Sequence, residues 1–378
     1  MAFFILGGPM ARSLFRLTVC LTLIFGIFGA AAVHAGTRQI TDSAGRPLTI
    51  PENIKHIICS GPGCLRLITY LGAQDLVVGV DDMEKRRWDF DARPYFLANP
   101  QFRDLPVFGE FRGRDNPEKI ISLSPLPQVI FKTYSGSGTD PVKLQKKTGI
   151  PVIILEYGDL GKSIGQYFHT LTLLGKVLDR RERAEQVISF FKEEIRQLKD
   201  RTRDPAGGKT CFVGGIAFRG PHGFQSTEPG YPPFLFVGAQ NIACPGDTGP
   251  ALRHSIFSKE KLLVADPEVL FLDLSTLQMG RDQGGLFELR TDPVYREMTA
   301  VKKGQVFGLL PYNWYTQNHG SVLANAWYIG KVLYPEQFAD IDPETKADEI
   351  YEFLVSKPVF GQLNASFQNM AFQPVELN

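Results

Sequence analysis

Apolar positions along the chain recur in one unit from Ile54 onward: a short β-branched run, a Gly- or Pro-bearing turn, then apolar residues at helical spacing. His56-Ile57-Ile58-Cys59 reads as a strand and Gly61-Pro62-Gly63 as a turn. Leu65, Leu67, Ile68 and Leu71 then share one helix face that Gly72 stops. Leu76-Val77-Val78-Gly79-Val80, Val129-Ile130-Phe131 and Pro151-Val152-Ile153-Ile154-Leu155 are further strands. Asn116-Pro117-Glu118 opens a helix, with Asn as cap and Pro in the first turn. Strands alternating with helices predict a parallel, doubly wound α/β lobe over residues 36–160.

Residues 161–205 break the pattern. Lys162–Leu178 and Arg181–Arg201 show no strand period, and Ala184, Val187, Ile188, Phe191, Ile195 and Leu198 keep helical spacing opposite a charged stripe. At about 1.5 Å per residue the second helix spans roughly 30 Å, the width of a small domain. Asp204-Pro205-Ala206-Gly207-Gly208 ends it. Over 206–378 the α/β pattern restarts, with strands at Thr210–Val213, Val269–Leu272 and Gln305–Gly308 and helices at Ser258–Leu263 and Gly320–Leu333. The expected architecture is two doubly wound α/β lobes joined by one long helix, with a ligand cleft between them.

Composition narrows the function classes. Of 378 residues 43% are hydrophobic and 21% charged, a globular balance. The net charge of +1, without long basic blocks, excludes a general nucleic-acid binder. Residues 1–35 carry Arg12 and Arg16, an apolar run from Leu17 to Val33, and Val33-His34-Ala35 at the end. That is the layout of a signal peptide, cleaved after Ala35, and it predicts export to the periplasm. Met10 offers a second start that leaves a signal of ordinary length.

Cleavage removes Cys20 and leaves Cys59, Cys64, Cys211 and Cys244, enough for two disulfides in an oxidising compartment. Cross-lobe bonds would resist hinge motion, so pairing within lobes, Cys59 with Cys64 and Cys211 with Cys244, is the expectation. A thiol-redox protein using Cys59 and Cys64 is an alternative, although its motif would be Cys-x-x-Cys. No catalytic set is found: Ser135-Gly136-Ser137-Gly138 lacks the hydrolase elbow spacing, and Arg203 replaces the first glycine a phosphate loop needs before Gly208-Lys209-Thr210. His56, His169, His222, His254 and His319 are far apart in sequence, so neither a metal site nor a resident cofactor is expected.

Taken in order, several segments resemble the substrate-binding proteins of iron–siderophore, haem and cobalamin ABC importers, the class built on a single backbone helix. They are Ile57–Arg66, Tyr70-Leu71-Gly72-Ala73, Val77–Val80, Asn116–Ile120 before Ser124–Ile130, Ser258–Leu263 before Asp266–Leu270, and Pro311–Gly320. The resemblance covers residues 38–360, with Cys59 and Cys64 as departures from its usual small or hydroxyl residues. It implies a monomer that holds a small-molecule iron chelate, ferric siderophore-like, and delivers it to permease subunits in the inner membrane; cobalamin and haem are the alternatives. It also implies that Glu118 and Glu260, one per lobe, pair with Arg residues of that permease.

Open α/β sheets bind ligands at the carboxyl ends of their strands. The loops there supply Arg66, Arg87, Arg112, Tyr134, Tyr231, Trp314 and Tyr315 as candidate ligand contacts, because anionic, flat-faced ferric complexes suit guanidinium and aromatic partners. Arg86, Trp88, Arg114, Arg219 and Arg281 lie in or beside the same loops.

Overall fold

The computed structural model describes Met1 and residues 36–87, 89–203, 208–244 and 254–377. The signal segment, Trp88 and residues 204–207 of the expected helix stop lie outside these described residues.

The first lobe opens with an antiparallel pair, β1 (Thr37–Thr41) and β2 (Pro47–Pro51). Its main sheet contains β3 (Ile57–Ser60), β4 (Val77–Asp81), β5 (Val107–Glu110), β6 (Arg114–Asp115), β7 (Val129–Thr133) and β8 (Val152–Leu155) in the order β6-β5-β4-β3-β7-β8. All neighbours are parallel except β5 and β6. Every residue of β3, β7 and β8 is buried, which is why their apolar residues run consecutively rather than alternating, with Ser60, Lys132 and Thr133 as buried polar residues at the strand ends.

Two helices, Ile164–Val177 and Arg181–Arg201, follow. The longer one buries Ala184, Val187, Phe191, Ile195 and Leu198 on one face, as its spacing predicts. The second lobe contains β9 (Thr210–Gly214), the short pair β10 (Ser226–Thr227) and β12 (Ser255–Ile256), β11 (Gln240–Asn241), β13 (Val269–Asp273) and β14 (Val306–Leu309). Its sheet order is β11-β9-β13-β14, all parallel. That order matches β4-β3-β7-β8 of the first lobe, so the two lobes repeat one four-strand unit.

The chain after β14 is shared between the lobes. Helix His319–Leu333 buries Trp327 in the second lobe, and helix Pro343–Val355 returns to touch the first-lobe helices Cys64–Tyr70 and Pro94–Ala98. Glu194, buried on the long helix, accepts hydrogen bonds from Trp327 Nε1 at 2.6 Å and Lys346 Nζ at 3.0 Å. Arg183 of the same helix donates to Tyr70 O at 3.0 Å and to Phe353 O. The long helix is thereby tied to both lobes by buried and half-buried polar contacts.

A cationic cleft between the lobes

A cavity of about 340 Å³ opens between the lobes. Pro62, Met83, Arg86, Phe111 and Arg112 line it from the first lobe, and Ala217–Pro221, Gln278 and Asn313–Thr316 supply residues from the second. The strap Pro311–Asn318, which follows β14, crosses between them. Asn313 Nδ2 holds its near end by donating to Ala217 O at 2.6 Å. Its far end is clamped by the first lobe: Arg66 Nη1 donates to Gln317 O at 2.6 Å, Arg66 Nη2 to Trp314 O at 3.2 Å, and Tyr157 Oη to Gln317 O at 2.7 Å. Gly63, at φ 73°, makes this approach feasible, because a Cβ there would stand 2.3 Å from the Tyr157 ring and 2.6 Å from Thr316 Cγ2.

Two turns of identical sequence face the cavity. Phe111-Arg112-Gly113 comes from the first lobe and Phe218-Arg219-Gly220 from the second. Arg112 (φ 62°) and Arg219 (φ 59°) both occupy left-handed backbone, and in each case the guanidinium lies over the preceding Phe ring, at 5.2 and 5.4 Å. Among the described residues neither forms a salt bridge, whereas Arg86 beside them pairs with Asp82 at 2.8 Å and stacks on Phe111 at 4.2 Å. Tyr134, Tyr315 and Thr316 are also at positive φ. Five such non-glycine residues gathered at one cleft hold a conformation that costs of order 1 kcal/mol or more each, a concentration typical of functional sites.

Tyr315 reaches back to the first lobe, donating to Asp81 Oδ2 at 2.5 Å and accepting from Arg112 N at 3.2 Å. Burial, with Glu84 adding to it, pushes the Asp81 carboxyl up to about 7 against the opposing hydrogen bond from Tyr315. His319, at the end of the strap, stacks between Tyr157 and Tyr167 with ring centroids 4.8 and 4.0 Å away. Burial, then the nearby Arg66 charge, drives its pKa well below the ordinary value and keeps it neutral.

The residues singled out from the sequence fall into distinct places. Arg112, Trp314 and Tyr315 line the cavity, and Tyr134 stands at its margin with its hydroxyl on that of Thr316. Arg66 is fully buried and does not line the cavity, because its helix is buried along its whole length and its guanidinium is consumed by the strap carbonyls. Tyr231 is buried as well, packed edge-on against Phe234 and Tyr312, with its hydroxyl accepting from Asn325. Arg87 is exposed and outside the cavity lining. Arg219, noted in the same loops but not among the candidate contacts, also lines the cavity, and the repeated Phe-Arg-Gly triplet is the sequence signal that sets it apart from its neighbours.

The expected disulfides are absent. Cys59, Cys64, Cys211 and Cys244 are all free thiols. Cys59 and Cys64 meet through a hydrogen bond, and burial, followed by that contact, raises the Cys59 pKa well above its ordinary value. Burial of this kind disfavours the thiolate that a redox pair would use. Cys211 faces Gln240 O at 3.6 Å inside the sheet, while Cys244 is exposed.

Glu118 and Glu260 are both exposed, in the first turns of helices Pro117–Ile121 and Lys259–Ala265. Asn116 and Ser258 cap these helices by accepting from Lys119 N at 3.0 Å and Lys261 N at 3.3 Å. Each helix precedes the same strand of the repeated unit, β7 or β13.

Comparison with known proteins agrees with this geometry. The molybdate-binding protein MolA of Haemophilus influenzae is 23% identical over 338 residues, covering 83% of this chain and 90% of the relative. The structure of MolA bound to molybdate superposes with a TM-score of 0.64 at 19% identity, covering 85% of this chain and 98% of that one. The iron-uptake system-binding protein of Bacillus subtilis is 21% identical over 217 residues, covering 54% of this chain and 62% of the relative. The periplasmic binding protein family pattern matches residues 57–312, more than half of the chain. With two repeated lobes closing on a cleft, this chain belongs to the periplasmic binding protein family and is the solute-binding component of an ABC importer.

Proposed function

We propose that the cleft captures an anionic, flat-faced metal chelate of the ferric-siderophore class and delivers it to permease subunits in the inner membrane. The observation that carries this reading is the pair of Phe-Arg-Gly turns, one per lobe, presenting Arg112 and Arg219 to one cavity. An anion bound between them neutralises both lobes at once, so binding favours lobe closure. The cavity volume falls in the range of organic ligand sites, about 300–1,000 Å³. Trp314, Phe111 and Tyr315 supply faces that a ligand with planar rings can use.

A second reading, capture of a bare oxyanion, is supported by the similarity to MolA and by the arginines. It leaves the aromatic lining without a role. Titration of the purified protein against a ferric tris-catecholate complex and against molybdate, followed by tryptophan fluorescence, separates the two. Preferential binding of the chelate supports the first reading, and molybdate binding alone replaces it.

In this proposal the protein is exported with loss of residues 1–35 and works as a periplasmic monomer. Glu118 and Glu260 dock it to the permease. Their matching places in the repeated unit suit a partner that is itself two-fold repeated.

A further inference from the structure

Beneath the Arg112 turn lies a lysine that the ligand reading does not use. Lys132, in β7, is completely buried, and its ammonium donates to Asp115 Oδ2 at 2.6 Å, Gly113 O at 2.9 Å and Ser60 Oγ at 3.0 Å. Three protons thus meet three acceptors: one on the central strand β3 and two on the segment that carries Arg112. Gly113 O also accepts from Thr139 N at 2.7 Å, and Asp115 O from Thr139 Oγ1 at 3.0 Å. Space around the anchor is minimal. A Cβ on Gly113 would stand 2.8 Å from the Lys132 amine, and one on Gly138 would stand 2.2 Å from Gly113 O.

A buried ion pair seldom stabilises a fold more than a well-packed apolar pair of the same volume does. Its distinctive property is directional: it fixes the carbonyl of the residue after Arg112, at the point where the backbone takes two successive left-handed residues, φ 62° and 72°. We propose that Lys132, paired with Asp115, is a positioning residue for Arg112, holding its guanidinium in the left-handed turn so that it faces the cleft before any ligand arrives. Neither Lys132 nor the three residues its ammonium donates to are part of the cavity lining, so it acts on affinity only through Arg112. This rests on the reading of the cleft as an anion site, and the test separates the two.

The variants are Lys132→Met, Arg112→Ala and both together, with Lys132→Met plus Asp115→Leu as an apolar replacement that keeps the volume filled. Two readouts apply: affinity for ferric tris-catecholate, and amide hydrogen exchange across residues 109–115 in the ligand-free protein. Lys132→Met should weaken binding about tenfold, the scale of one charge-assisted contact, and the double variant should bind no more weakly than Arg112→Ala alone. Exchange across 109–115 should rise at least about tenfold while the helix Arg181–Arg201 stays protected. If the affinity losses of Lys132→Met and Arg112→Ala add, or Lys132→Met binds like the wild type while Arg112→Ala does not, positioning is refuted and the anion site stands. If the wild type does not bind the chelate, the ligand reading fails, and exchange alone decides: an unaltered 109–115 segment in Lys132→Met and in the apolar pair overturns the proposal.

Discussion

Arg112 and Arg219 are exposed residues of a kind that ordinarily does nothing but meet water, and three features set them apart. Each is held at positive φ, each lies over its own Phe, and each enters the same cavity from the opposite lobe. A hydrogen bond to a charged group contributes about 1.5–3 kcal/mol. Arg112→Ala and Arg219→Ala should therefore each lower affinity for ferric tris-catecholate by roughly ten- to a hundredfold, with thermal unfolding little changed. Fluorescence titration checks this, and a loss confined to one arginine would place the ligand on one lobe only. Arg66 shows the contrasting case. Its place just inside the first helix made it a cleft candidate, yet the sequence cannot show that the strap would deliver two backbone carbonyls to it beside the Tyr157 hydroxyl of its own lobe.

At the scale of elements, the short capped helices that carry Glu118 and Glu260 were legible from Asn116-Pro117-Glu118 and Ser258-Lys259-Glu260, because cap and first-turn preferences are local. Their correspondence is sharper in three dimensions, where each precedes the third strand of the same four-strand order. Both carboxylates are exposed and outside the cavity lining. Glu118→Ala with Glu260→Ala should leave chelate affinity near normal while uptake in cells falls sharply, since surface charge pairs act on association and orientation. Parallel titration and uptake assays test this. Unchanged uptake removes the docking role. The strap at 311–318 is an element of another kind: its Trp and Tyr were legible as candidates, but its attachment to the opposite lobe was not, for no local pattern encodes a partner some 150–250 residues away.

For the whole molecule, two buried carboxyls make stability depend on pH. Asp81 joins the lobes through Tyr315, and Asp273 ends β13 in the second lobe; burial pushes each up to about 7 from an ordinary 3.8. Between about pH 4 and 7 the folded protein retains protons that the unfolded chain has released, so this contribution is full at low pH and declines as pH rises through 7. Tm should therefore fall from pH 5 to pH 8 relative to a variant with Asp81→Asn and Asp273→Asn. Calorimetry across that range checks the sign, and equal slopes in the two proteins would remove these groups as the cause.

The sequence by itself determined what local chemistry controls. Buried parallel strands need continuous β-branched runs, helices need periodic apolar faces and caps, and the long helix needs one apolar stripe; each is written in consecutive residues. Tertiary structure alone decided which arginines line the cavity and which are consumed by backbone carbonyls. It also decided that four cysteines remain thiols, that Lys132 lies under the Arg112 turn, and that the chain beyond β14 serves both lobes. Those outcomes depend on distances between segments remote in sequence and on left-handed turns whose strain only the surrounding packing can sustain.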